Sequence, residues 1–119
     1  MKPVYQDIFI NDPQGRYGNC LQATIASILE MNLEDVPHFA AMPDDTWFEF
    51  MCNWLWDKGW NIEDFETVND SPEYMLTIGP SQRGVSHAVI YKDGEMVHDP
   101  HPSNAGLLSV KWCSAIYKL

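Results

Sequence analysis

Cys20 is the residue through which this chain could do covalent chemistry, and three others give it a context: Gln14, six positions earlier, and His87 and Asp99 far downstream. A cysteine attacks only as its thiolate, and a free thiol is mostly protonated at neutral pH. A helix N-terminus or a neighbouring imidazolium shifts that balance. The segment PQGRYGNCLQATIASIL sets Cys20 at the mouth of a helical run, so position alone offers the first of these aids. The segment GVSHAVIYKDGEMVHDPHP supplies the rest. His87 would act as general acid and base, with Asp99 holding its second ring nitrogen. Attack on a carbonyl also creates an oxyanion. The Cys20 backbone N–H is one donor for it, and the Gln14 side-chain amide, folded back by the 15–18 loop with its two glycines, is the second. Gln6 is the alternative to Gln14. The chemistry expected is acyl transfer through a thioester, to water by default, with no metal or organic cofactor.

Elements must bring these groups together. Residues 1–19 read as mostly irregular, with a short strand over 4–8 as the one extended candidate. A helix is predicted over 20–31, with Asn19 as its N-cap. Leu21, Ile25, Ile28 and Leu29 form its apolar stripe and Ala23 and Ala26 widen it, the mark of a helix buried in mid-domain. A connector with Pro37 and Pro43 follows, with one turn near 33–36. A second helix is predicted over 44–58, opened by Asp44 and Asp45 and stopped by Gly59. Beyond it the period changes to short alternating runs at 60–65, 74–78, 85–91, 95–98 and 108–117. Helices first and hairpin-linked strands after make the class α+β with an antiparallel sheet.

The turn at Lys92-Asp93-Gly94 decides whether histidine and aspartate meet. A two-residue Asp-Gly turn pairs Lys92 with Glu95 and leaves His87 and Asp99 on opposite faces. A three-residue loop closed by a Gly94 bulge pairs Tyr91 with Glu95, Val89 with Val97, and His87 with Asp99, their β-carbons about 5 Å apart. Apolar alternation does not choose between the two, because either face could be buried. The catalytic reading needs the second, which turns His98 away from His87.

Gln14-Gly15, then Gly18-Asn19-Cys20 opening a helix, then Ser86-His87-Ala88-Val89 and His98-Asp99-Pro100, resemble the papain-like cysteine peptidase superfamily. The similarity is greatest to small bacterial members such as the leader-cleaving peptidases of peptide exporters. The six-residue Gln-to-Cys spacing and the chain order Gln, Cys, His, Asp carry it. The resemblance implies a central N-terminal helix bearing Cys20, packed on an antiparallel sheet bearing His87 and Asp99. It also implies a thiol hydrolase acting on a peptide, isopeptide or small amide. An acyltransferase or transglutaminase-like enzyme on the same scaffold, or a non-catalytic binding module, is the alternative.

Composition narrows the partners. At 119 residues the chain is one domain, 1–119, large enough for a core without disulfide staples. An excess of 17 acidic over 7 basic residues argues against nucleic acid and anionic membrane surfaces. The N-terminus lacks a signal peptide's apolar stretch, no run suits a membrane span, and three irregularly spaced cysteines suit the cytoplasm. Nothing fixes an oligomeric state. His98, Asp99 and His101 raise a metal reading, but no Cys-x-x-Cys is present and the register that the catalytic reading needs turns His98 away from His87. Cys52 and Cys113 read as core, Trp47, Trp54, Trp56 and Trp60 as core packing or a groove wall, and Glu63, Asp64 and Glu66 as a solvated face.

Overall fold

A computed structural model describes all residues, 1–119. In chain order the elements are α1 (Cys20–Leu29), single 3₁₀ turns at Leu33–Asp35 and Phe39–Ala41, α2 (Trp47–Asp57), and strands β1 (Trp60–Phe65), β2 (Met75–Pro80), β3 (Ser86–Lys92), β4 (Glu95–His98) and β5 (Trp112–Lys118). The strands form one five-stranded sheet in the order β1-β5-β2-β3-β4, every neighbouring pair antiparallel. The α+β class expected from the change of period is the one observed. No helix is long and apolar enough to cross a membrane.

Both helices lie on one face of the sheet, α1 against β3 and α2 against β1. Leu21, Ile25, Ile28, Phe39, Met51 and Leu55 from the helical half meet Leu76, Ala88, Ile90 and Ile116 from the sheet. A smaller cluster of Met75, Cys113 and Ala115 covers the reverse face. Every residue of α1 from Leu21 to Ile28 is buried. A helix buried all round must satisfy its polar side chains internally, and each one on α1 ties a different segment to it. The Gln22 amide donates to the Leu33 and Val36 carbonyls, both at 2.9 Å. The Ser27 hydroxyl accepts the Val4 N–H at 2.9 Å. Thr24 Oγ1 donates to the Ala88 carbonyl of β3 at 3.5 Å.

Several boundaries differ from the periodicity. No strand forms over 4–8; that segment is held instead by Ser27 and by Gln6 N–H donating to the Pro100 carbonyl at 3.0 Å. α1 stops at Leu29 because Glu30 turns left-handed (φ 58°), and the Glu30 and Met31 N–H groups close back on the Ser27 and Ala26 carbonyls. α2 begins at Trp47 rather than 44, because Asp44, Asp45 and Thr46 form a turn in which the Thr46 and Trp47 N–H groups both reach the Pro43 carbonyl. β5 begins at Trp112 rather than 108. Trp54 packs edge-on against Phe39 and Trp60 against the core, whereas Trp56 is 61% exposed, so the tryptophans are not a single cluster.

Candidate active site

Cys20 is the first residue of α1 and is half-buried, and its thiol opens onto a cleft of about 590 Å³. The cleft lies between the 15–18 loop on one side and the β2–β3 loop on the other, with Leu21, Ile78 and Ala88 along it and Trp47 at the α2 border. One helical turn beyond Cys20, the Thr24 bond to Ala88 fixes α1 against β3, and His87 is the residue next to Ala88. Together with the apolar packing of α1 on β3, this bond accompanies the placing of sulfur and imidazole in the same cleft.

His87 and Asp99 are brought together, but not by the register that the catalytic reading needed. Asp93 (φ 53°) and Gly94 (φ 81°) both adopt positive φ, the signature of a two-residue type I′ turn, and Lys92 pairs with Glu95. That turn alone would separate the two side chains. A bulge in the body of the hairpin corrects it: Tyr91 pairs with Met96 and the next pair is Ile90 with His98, leaving Val97 as the extra residue. The extra residue restores the face that the turn lost, and His87 reaches Asp99 diagonally. His87 Nε2–H donates to Asp99 Oδ1 at 2.7 Å, with His87 4% and Asp99 2% exposed. Asp99 Oδ1 also accepts the His101 N–H at 2.9 Å, and Oδ2 accepts the Gly106 N–H at 2.9 Å.

Electrostatics follow from this cage. Burial works against charge on His87, but the Asp99 hydrogen bond and then the adjacent Cys20 thiol outweigh it and raise the imidazole to about 9. Burial likewise works against the Asp99 carboxylate, yet the bonds from His87, His101 and Gly106 hold it below the ordinary value. With Nε2 taken by Asp99, Nδ1 is the ring nitrogen left for the sulfur. Burial first, then acidic neighbours, push the Cys52 and Cys113 thiols upward.

Gln14 is not part of the site. It lies exposed on a turn whose Gln14 and Arg16 N–H groups both donate to Asp12 Oδ2 at 3.0 Å, and its side chain is outside the cleft. The carboxylate clasp at Asp12 folds the 12–16 segment onto itself, so this glutamine is not carried back to the thiol. Gln6 lines the cleft instead. It is buried against Gly18, its Nε2 donates to the Ile8 carbonyl at 3.0 Å, and its buried Oε1 has no partner. Asn19 does not cap α1 with its side chain. It is 1% exposed, and its Oδ1 accepts the Asp7 and Ile8 N–H groups at 3.1 and 2.9 Å. Asn19 thus pins the segment that carries Gln6 beside the residue preceding Cys20.

His101 also borders the site. Its ring meets the His87 ring edge-on at 6.1 Å, and its Nδ1 is bonded to Ser103 Oγ at 2.8 Å. His98 points elsewhere and its Nε2 donates to the Val4 carbonyl at 2.8 Å. No three His, Cys, Asp or Glu side chains are placed to hold a metal ion. Gln6 and His101 carried no local signal beyond residue type, because each enters the site through a loop contact and not through a period. No protein-family model, curated protein or solved structure matches this chain.

Proposed function

We propose that the protein is a cysteine-dependent hydrolase with a papain-like arrangement, cleaving a peptide, isopeptide or small amide through a thioester. The observation that carries this reading is the caged His87–Asp99 pair, set beside a thiol that opens onto a cleft. An imidazole raised to about 9 stays protonated at neutral pH, and an imidazolium beside a sulfur is the charge partner that a thiolate nucleophile uses. In the first half-reaction Cys20 Sγ bonds to the carbonyl carbon, the C–N bond breaks, and His87 gives its Nδ1 proton to the leaving amine. In the second, His87 takes a proton from water, the hydroxide displaces Sγ, and the acid leaves. The Cys20 N–H at the start of α1 and the Gln6 amide stabilise the oxyanion, with Gln6 taking the role expected of Gln14. Three free thiols suit a reducing compartment, so we place the enzyme in the cytoplasm.

A generic acyl donor tests this without a known substrate. Mixed with p-nitrophenyl acetate, the protein should release a burst of nitrophenol stoichiometric with enzyme, and an acid-quenched digest should carry the acetyl group on the Cys20 peptide. Cys20→Ala should abolish both. A burst that survives Cys20→Ala, or acetyl spread equally over Cys52 and Cys113, would overturn the proposal.

A further inference from the structure

We propose that the cleft recognises a substrate carrying a carboxylate close to the scissile carbonyl, and that Arg83 is the residue that binds it. This rests on the hydrolase reading above and adds the substrate class. The chain is acidic, with 17 acidic against 7 basic residues, and only two of the latter are arginines, Arg16 and Arg83. Both line the cleft and no lysine does. Both arginines of an acidic protein thus border the space where a substrate would lie, while its five lysines lie elsewhere.

The two arginines are not equivalent. Arg16 is held by Asp12, Nη2 to Oδ1 at 2.8 Å and Nε to Oδ2 at 3.1 Å, so its charge is already matched. Arg83 has no carboxylate within ion-pair range. Its one side-chain bond is Nη1–H to Ser103 Oγ at 3.4 Å, which leaves most of the guanidinium fork free. The loop that carries it is rigid at the base: Ser81 N–H and Oγ–H both donate to the Val85 carbonyl at 2.9 Å, and Gly84 N–H donates to the Ser81 carbonyl at 3.0 Å. The free guanidinium shares one substrate space with the reacting group, since Arg83 and His87 line the same cleft. Its charge also reaches His101, which stands edge-on to His87: burial first, and Arg83 second, hold His101 below the ordinary histidine value. The one carboxylate on the cleft wall, Asp44, belongs to the rim before α2 and not to the Arg83 loop. A planar fork with no partner matches a carboxylate, which it can bind through two parallel hydrogen bonds.

Alkylation of Cys20 by iodoacetate and by iodoacetamide reads this charge directly, since the two reagents differ in little but a carboxylate. In the full chain, Arg83→Gln should lower the iodoacetate-to-iodoacetamide rate ratio at Cys20 roughly fivefold or more, while Arg83→Lys, which keeps the charge, retains most of it. A second arm uses the unaltered protein and does not depend on a variant folding. Acetyl-Leu-Ala with a free C-terminal carboxylate, its C-terminal amide, and acetyl-Leu-Glu-amide are compared as protectants of Cys20. Stronger protection by the first identifies an α-carboxylate, by the third an acidic side chain, and either supports the proposal. Protection by neither acid beyond that of the neutral amide, or an unchanged ratio in folded Arg83→Gln, overturns it. Those outcomes leave the hydrolase reading standing if Cys20 still reacts faster than Cys52 and Cys113; loss of that selectivity in the unaltered protein sinks the hydrolase reading itself.

Discussion

Asp99 has three N–H donors on two oxygens, and this decides how it responds to change. His87 and His101 share Oδ1, and Gly106 takes Oδ2. Asp99→Asn must turn an NH₂ toward one of those donors and leave it unsatisfied in a buried site. We expect a loss of roughly a hundredfold or more in the acetylation rate of Cys20, and about 1–3 kcal/mol of stability in urea titrations. The glutamines give a sharper comparison. Gln6→Ala should slow acetylation roughly a hundredfold, whereas Gln14→Ala, on an exposed turn, should leave the rate within roughly twofold; the opposite ranking in stopped-flow burst kinetics would restore Gln14. At the same scale, His87→Ala should slow Cys20 alkylation by iodoacetamide at pH 7 roughly tenfold, because the adjoining charge is gone.

At the scale of elements, the β3–β4 hairpin and the C-terminal end of β2 show two different demands for glycine. Gly94 is the second residue of the type I′ turn, and its φ of 81° is the reason for it. A Cβ there would also come within 2.2 Å of Asn69 Oδ1, but that is a side-chain end able to move aside. Gly94→Ala should therefore cost about 1–2 kcal/mol, mostly backbone strain. Gly79 is the register partner of His87, and a Cβ on it would fall 1.9 Å from the Ser109 backbone oxygen. The 108–111 backbone is itself bonded to β2 through Leu108 to Pro80 and Lys111 to Ile78, so it cannot yield without breaking those bonds. Gly79→Ala should lower the urea midpoint further than Gly94→Ala and reduce acetylation too, because the strand it displaces orients His87. Equal midpoints would show that the 108–111 segment gives way freely.

For the whole molecule, the site's charge pair should appear in stability. The folded value of His87 lies above its ordinary 6.5, near 9, so its contribution is complete below about 6.5 and disappears as pH rises through about 9. Asp99 is shifted the other way, so its contribution is present above the ordinary carboxylate value and is lost as pH falls through the depressed one. The difference in thermal midpoint between wild type and His87→Gln should be large near pH 6 and shrink toward zero above about 9. A difference that stays constant across that window would mean that His87 is not charged in the folded protein. α1 links the site to the fold's centre, since it contributes Cys20 at one end and clamps the N-terminal segment, the 33–36 turn and β3 along its length.

Local pattern accounts for a good part of this protein. The 3.6-residue period placed α1, and its all-round apolarity marked it as central. The change to alternation after Gly59 marked the sheet, and residue chemistry singled out Cys20, His87 and Asp99. Those are short-range properties, legible from neighbours in the chain. The hairpin shows where that reading ends: Asp-Gly favours a two-residue turn locally, and it is the bulge at Val97 that returns Asp99 to the cage formed by His87 and the His101 and Gly106 N–H groups. Gln6 in place of Gln14, Asn19 as an anchor in place of a cap, and Arg83 as the free cation of the cleft all depend on contacts between distant segments. No local signal encodes such contacts, because their energies exist only once α1 and the sheet have closed around them.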